Sequence, residues 1–253
     1  MSKVYKFYAY TRKQGVGRAI RKTVSYTAKK IKLTKQTIDV MVGIDDVIKA
    51  DFYSHPYTRP HAIKKEKLDI AWVLSPLSPG SGGQSTITRF ARFLSQSGHT
   101  VTIYIYEGVQ PQTLSEARKI LATNFNLNVQ VKKIDQFKDA DVLIATGWET
   151  AYPVFNLKTA AHKFYFVQDF EPYFYGVGSK SVLAENTYKM GLYGITAGKW
   201  LSHRLSTTYG MEADHFDFGA DLDIYKFDET KQSAKQKKIC FYARPVTERR
   251  AFE

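Results

Sequence analysis

Residues 68–106 read LDIAWVLSPLSPGSGGQSTITRFARFLSQSGHTVTIYIY, and the fold prediction starts from this segment. Its first apolar run, residues 68–74, has the length of a buried strand. Prolines and glycines in residues 75–83 interrupt regular structure. Apolar residues at helical spacing follow from Gln84, and Gly98 ends that helix before a second apolar run. The segment therefore predicts a strand, a glycine-rich loop, a helix and a second strand.

The glycine-rich loop is the first candidate site. Gly82 and Gly83 stand directly before the predicted helix, where free backbone N–H groups can bind an anion or a sugar hydroxyl. Glycine is also the residue that a tight turn between a strand and a helix needs. The loop alone leaves both interpretations open.

The same alternation of apolar runs and helical patterns continues along the chain. Further strands are predicted at residues 129–131, 141–145, 163–167, 194–197 and 213–217, with helices at 114–125, 182–190 and 199–209. This order is typical of an α/β fold with a doubly wound parallel sheet, a Rossmann-like domain, which we place at residues 68–227. Ligands of such sheets bind beyond the carboxyl ends of the strands.

A carboxylate pair follows one of these strand ends. Asp169 and Glu171 stand after the strand at 163–167 and just before three aromatic residues, 173–175. Carboxylates accept hydrogen bonds from sugar hydroxyls, and aromatic rings cover the apolar faces of sugars. The pair therefore favours a carbohydrate ligand. The alternative is a turn with solvated acids beside an aromatic core cluster.

The composition of the chain indicates the charge of its partner and the cellular compartment. The 253 residues carry a formal charge of +13, which indicates an anionic partner. The single cysteine, Cys240, excludes an internal disulfide, and no apolar run is long enough to span a bilayer. We therefore expect a cytoplasmic protein.

Residues 1–67 are predicted to be a basic, partly helical segment followed by a connector. No acidic residue precedes Asp39, and residues 3–35 mix apolar positions with many basic ones. These residues could form an amphipathic helix on the inner, anionic face of a membrane, or an exposed basic arm. We expect no nucleic acid partner, because no zinc-ligand, helix-turn-helix or RNA-binding pattern accompanies the charge.

The end of the chain predicts the start of a second domain. After a polar linker at 228–236, residues 237–243 read as a new strand, and the segment 237–253 then ends before a second sheet could form. Arg244 and Arg249 follow that strand and could bind a diphosphate through bidentate hydrogen bonds. An exposed basic turn is the alternative.

Five segments resemble glycosyltransferases of the two-Rossmann-domain (GT-B) type, in the retaining family 4. They are residues 79–83, 97–101, 141–148, 219–221 and 242–249. Three segments, at 167–175, 194–201 and 241–245, resemble in particular the WsaF-like rhamnosyltransferases of rhamnan and other surface-glycan synthesis. The resemblance covers residues 68–253.

This resemblance implies transfer of a sugar, with retention, from a nucleotide-sugar donor to a cell-surface or lipid-linked glycan. The implied donor is dTDP-rhamnose, with no metal and no other cofactor. The implied roles are catalytic for Asp169 and Glu171, donor-diphosphate binding for Arg244, Arg249, Gly82 and Gly83, and acceptor or sugar binding for Gln168, Tyr173 and Trp148. Gln168 stands where many members have a histidine, and Arg249 where a lysine is usual. The family's paired glutamates would lie beyond Glu253, so the chain is expected to be inactive alone.

Two alternatives remain open. Asp221-Leu222-Asp223 matches the metal-binding aspartate pair of single-domain glycosyltransferases, but its place after Gly219 favours a turn. A non-catalytic Rossmann-like module that binds an anionic glycan, lipid or nucleic acid is the competing function. A Rossmann oxidoreductase is disfavoured, because the loop at 75–83 lacks the G-x-G-x-x-G spacing.

Overall fold

The computed structural model describes residues 41–108, 110–220, 222, 225–226 and 237–241. The described residues belong to one compact unit, which begins at Met41. Its strands are β1 Asp69–Leu74, β2 Thr100–Ile105, β3 Gln130–Lys133, β4 Val142–Ala145, β5 His162–Val167, β6 Tyr193–Ala197 and β7 Ala213–Phe216. Its α-helices are α1 Ile44–Lys49, α2 Gly82–Gln96, α3 Leu114–Phe125, α4 Trp148–Asn156, α5 Ser179–Asn186 and α6 Lys199–Tyr209.

The strands form one sheet in the order β3-β2-β1-β4-β5-β6-β7, and every neighbouring pair is parallel. The chain first builds outward from β1 to β3 and then returns to the other side of β1 with β4. The α/β, doubly wound fold class predicted from the sequence is therefore confirmed. The reversal lies between β1 and β4, which is where sheets of this kind bind ligands.

Strand β1 lies inside the sheet, between β2 and β4, and its residues are apolar on both faces. Trp72 pairs with Ile103 of β2 and with Ile144 of β4, and all three side chains are buried. Central parallel strands are covered by helices on both sides, so an uninterrupted apolar run is what they require. This is why residues 68–74 were recognisable as a strand.

Helix α4 was not predicted. Pro153 lies inside it, and a proline in a helix interior removes a hydrogen bond and normally breaks the helix. The helix forms because burial outweighs that cost: Ala151, Tyr152 and Val154 are at most 1 % exposed. The helix predicted at 182–190 begins earlier, at Ser179, and ends in a short 3₁₀ turn, Thr187–Lys189.

The segment before β1 packs against the sheet. The hydroxyl of Tyr57 donates to the carbonyl oxygen of Ala161 at 3.0 Å and accepts from the backbone N–H of Lys163 at 3.0 Å. The side-chain amide of Asn156, at the end of α4, donates to the carbonyl oxygen of Asp46 at 2.8 Å. Residues 41–67 are therefore anchored on the unit, and the predicted domain boundaries stay predictions.

The predicted strand at 237–243 is not formed over its described part. Residues 237–241 are exposed and lie in neither a helix nor a strand. A strand is held by hydrogen bonds to a neighbouring strand, and none of the seven described strands pairs with this segment. Arg244, Arg249 and the basic residues 3–35 lie outside the described residues. Within the described ranges, no helix is both long and apolar enough to cross a membrane.

Candidate active site

A crevice of about 710 Å³ lies at the carboxyl ends of β1, β4 and β5. It sits at the point where the strand order reverses. Its lining includes six of the residues predicted from the sequence: Gly82, Gly83, Trp148, Gln168, Asp169 and Glu171. Three loops far apart in the chain therefore converge on one site.

The glycine-rich loop forms the first wall. The side chain of Gln84 holds it closed, because its oxygen accepts from the backbone N–H of Ser78 at 2.9 Å and its amide donates to the carbonyl oxygen of Pro76 at 3.1 Å. Ser81 is the N-cap of α2, and its hydroxyl accepts from the backbone N–H of Gln84. The loop is thus fixed by side chains that precede and begin the helix.

The glycines of this loop have different reasons to be glycine. Gly80 has φ +75°, a left-handed conformation that side chains disfavour, so the turn itself needs it. Gly82 and Gly83 are exposed and do not share that conformation. A Cβ atom at Gly82 would meet nothing within 4 Å, and one at Gly83 would meet the Gln168 amide nitrogen at 3.4 Å. Packing therefore does not demand glycine at 82 or 83, and their open backbone borders the crevice.

Glu171 is a buried carboxyl group with fixed partners. It is 4 % exposed, and its Oε2 accepts from the backbone N–H of Trp148 at 2.6 Å and from the hydroxyl of Tyr165 at 2.8 Å. Its own backbone N–H donates to the hydroxyl of Tyr188 at 3.0 Å. Burial, and then the neighbouring carboxyl group of Glu149, raises the pKa of Glu171 to about 8. At neutral pH this group therefore holds a proton in most molecules.

Asp169 stands two residues earlier and is more accessible. Its side chain is half-buried at the crevice, and Oδ1 accepts from the backbone N–H of Phe170 at 2.8 Å. Glu171 lies beneath it in the protein interior. Of the two predicted catalytic carboxyl groups, Asp169 is therefore the one that a sugar hydroxyl can reach more readily.

The predicted sugar-binding residues are placed differently from one another. Gln168 is half-buried beside Gly83 and lines the crevice. Trp148 also lines it but is only 1 % exposed, and its indole N–H donates to the hydroxyl of Tyr175 at 3.0 Å. Tyr173 lies outside the lining, is 57 % exposed and accepts a hydrogen bond from Arg204 at 3.0 Å.

Glu149 is a crevice residue that the sequence analysis did not single out. It lies in the first turn of α4, and its Oε1 accepts a hydrogen bond from the hydroxyl of Ser75, which follows β1. Burial raises the pKa of Glu149. Its position shortly after β4 could have identified it from the sequence. However, Pro153 argues against a helix at this place, and it is this helix that positions the Glu149 side chain in the crevice.

The described residues contain no group of three or more histidine, cysteine, aspartate or glutamate side chains that could hold a metal ion. Asp221 and Asp223, the candidate metal pair, lie outside those residues. Independence from metals stays a prediction.

Residues 100–197 match the family model described as the N-terminal domain of WsaF. The resemblance to WsaF is confirmed over this range. It runs from β2 to β6 and contains Trp148, Asp169 and Glu171, but it leaves out the glycine-rich loop.

One similar protein is the O-antigen biosynthesis protein RfbC of Myxococcus xanthus. It is 31 % identical over 190 residues, which cover 72 % of this chain and 15 % of RfbC. The chain therefore spans a small part of the length of this relative, and the similarity concerns one region of it.

Proposed function

We propose that this chain is the acceptor-side domain of a glycosyltransferase that acts in surface-glycan synthesis. One observation carries the proposal: the carboxyl groups of Asp169, Glu171 and Glu149 share a single crevice with the open backbone of Gly82 and Gly83. The WsaF match includes all three carboxyl groups, and a similar protein is named for O-antigen biosynthesis. Polar groups that converge in a crevice at the switch point of a parallel sheet suit a small polar substrate.

The proposed donor is dTDP-rhamnose, and the proposed acceptor is a lipid-linked or cell-surface glycan. In the reaction, the bond between the anomeric carbon and the diphosphate oxygen breaks, and the acceptor hydroxyl oxygen bonds to that carbon with retention. Asp169 accepts the hydrogen bond of the acceptor hydroxyl, orients it, and takes its proton as the oxygen bonds to the anomeric carbon. Glu171 holds the backbone of Trp148 in place from below.

The leaving nucleoside diphosphate gains negative charge, which positive groups and backbone N–H groups must stabilise. We assign this role to Arg244 and Arg249, together with the backbone of Gly82 and Gly83. No metal and no other cofactor takes part in the proposed mechanism. Gln168, beside Gly83, is assigned to sugar binding.

The first test is substitution of Asp169. In a version of the protein extended past Glu253, Asp169→Asn is expected to lower rhamnose transfer from dTDP-rhamnose by about 100-fold or more, because the amide cannot take the proton. Asp135→Asn is the matched control, since Asp135 is exposed at the far edge of the sheet. Unchanged turnover in Asp169→Asn would show that its assigned role is wrong.

The second test addresses the reaction class. Calorimetric titration of dTDP-rhamnose, UDP-sugars and GDP-sugars into this chain and into the extended version is expected to show binding only to the extended version and only of dTDP-rhamnose. If neither bound any sugar nucleotide, the glycosyltransferase proposal would fall. The non-catalytic module for an anionic glycan, lipid or nucleic acid would then replace it.

A further inference from the structure

An exposed aromatic surface lies beside the crevice. We call it the aromatic platform and define it as Tyr173, Trp200 and Arg204. Tyr173 is 57 % exposed and Trp200 is 61 % exposed. The guanidinium carbon of Arg204 lies 5.3 Å from the ring centre of Tyr173 and 5.4 Å from that of Trp200. Two large, mostly exposed rings thus lie next to the same arginine.

The platform is rigidly supported from below. Arg204 lies 4.1 Å from the ring centre of the buried Phe170, and its Nη2 donates to the hydroxyl of Tyr173 at 3.0 Å. Phe170 also meets the ring of Tyr173 edge-on at 4.7 Å and stacks on Tyr188 at 5.6 Å. Rings that are already ordered lose little conformational entropy when a ligand binds them.

The position of the platform relates it to the crevice. Tyr173 lies between Glu171 and Phe174, which both line the crevice. Trp200 is in the first turn of α6, directly after the carboxyl end of β6. The platform therefore continues the crevice toward the β6 side of the same sheet edge.

We infer that the aromatic platform binds a neutral sugar unit of the acceptor glycan, at a distance from the sugar that reacts. This inference rests on the proposed function only in taking the ligand to be a glycan. A pyranose ring has an apolar face that packs on an indole ring, while its hydroxyls stay in water or bond to a phenol. Trp200 supplies the indole and Tyr173 supplies the phenol.

The geometry favours a neutral sugar over an anion. One amino group of Arg204 already donates to Tyr173, and its guanidinium carbon lies over the ring of Phe170. The arginine is therefore used to hold the two exposed rings in place. The Nε of Arg204 is buried and has no hydrogen-bond partner among the described residues, so a ligand on the exposed rings does not reach it.

The three tryptophans make a direct test available. Trp72 and Trp148 are each 1 % exposed, so acrylamide quenching of fluorescence reports mainly on Trp200. A short rhamnose oligosaccharide is titrated into the full chain, with a hyaluronan oligosaccharide as the acidic comparison. The neutral glycan is expected to protect the fluorescence from quenching with a saturable dependence on its concentration.

Variants separate the platform from the rest of the site. Trp200→Ala is expected to weaken calorimetric binding of the neutral oligosaccharide by about tenfold or more, while Trp200→Phe retains most of it. Tyr53→Ala is the matched control, because Tyr53 is 74 % exposed and is not part of the crevice lining.

Several results would overturn the inference. Absence of protection with both oligosaccharides would do so, and so would protection by the acidic one alone that disappears in salt. Failure of the proposed function would look different: the extended version would bind no dTDP-rhamnose, while the neutral oligosaccharide still protected Trp200.

Discussion

At the scale of a single residue, the raised pKa of Glu171 predicts how the free energy of unfolding depends on pH. Its pKa is raised from 4.5 to about 8, so between these values the folded state binds a proton that the unfolded state has lost. The free energy of unfolding must therefore fall as pH rises through this window, by an amount on the order of 3 kcal/mol. We expect Glu171→Gln to remove most of this dependence.

Urea unfolding of both proteins at pH 5 and pH 8 measures the effect. The variant should be close to the wild type at pH 5 and more stable at pH 8, because the substituted amide side chain stays neutral at both values. Glu116→Gln is the control, since Glu116 is exposed. Parallel loss of stability in wild type and Glu171→Gln would refute the assignment.

The glycine-rich loop leads to a prediction about an element. Gly80→Ala should cost about 1 kcal/mol of stability, because Gly80 has φ +75°. Gly82→Ala should change stability by less than about 0.5 kcal/mol, since nothing lies within 4 Å of its Cβ position. Gly82→Ala should nevertheless weaken donor binding, because the new methyl group enters the crevice.

The measurement pairs urea unfolding with titration of dTDP-rhamnose into the extended version. Gly210→Ala serves as the control for a purely structural glycine, because Gly210 has φ +67° and lies outside the crevice lining. Wild-type donor affinity in Gly82→Ala would mean that the donor does not approach this backbone.

Carbonyl oxygens at the carboxyl end of helix α4 accept hydrogen bonds from a buried lysine of strand β5. The Nζ of Lys163 donates to the carbonyl oxygens of Phe155 at 2.9 Å and Leu157 at 2.8 Å, which have no partner within the helix. Lys163→Met should therefore destabilise the protein by about 1–3 kcal/mol at pH 7. Lys158→Met, at an exposed position nearby, should have little effect.

The difference in stability between the wild type and Lys163→Met should depend on pH, and the direction of this dependence follows from the pKa of Lys163. Burial lowers the pKa of Lys163 from 10.5 to about 8, so between these values the unfolded state binds more protons than the folded state. The wild type should gain stability relative to Lys163→Met as pH rises from 8 to 10. Thermal unfolding at pH 7, 8.5 and 10 tests this, and a gap that narrows would contradict it.

At the scale of the whole molecule, the formal charge of +13 governs long-range association. We propose that residues 3–35 attach the protein to the inner face of the membrane, where anionic lipids attract basic segments. Co-sedimentation with phosphatidylserine-containing vesicles should decrease as salt rises, and deletion of residues 1–33 should abolish it. Neutral vesicles are the control, and unchanged binding of the deletion variant would remove the proposal.

Repetition of apolar runs allowed most of the sheet to be predicted. Helices α3 and α6 were placed at their observed bounds, because their apolar positions follow the helical period. Helix α4 could not be predicted from the pattern, because Pro153 disfavours a helix locally while burial of its neighbours in the folded protein favours one. Only the folded structure shows which of them prevails.

The orientation of the aromatic residues 173–175 was also beyond the sequence. A 3₁₀ turn at Glu171–Phe174 changes the direction of successive side chains by about 120°. Phe174 therefore lines the crevice, while the preceding Tyr173 turns toward Arg204. Three adjacent aromatic residues in a sequence do not reveal which side chain faces the crevice, because the side-chain directions depend on the type of turn.

By itself, the sequence determined that this chain builds a parallel α/β sheet with polar strand ends, since periodicity and strand length are local properties. The tertiary structure alone decided that Glu149 and Glu171 share one crevice and that Glu171 lies against Trp148, Tyr165 and Tyr188. Burial and charge proximity arise between elements that are distant in the chain. The raised pKa of Glu171 is therefore mainly a property of the fold, since burial and Glu149 contribute more to it than the nearby Asp169.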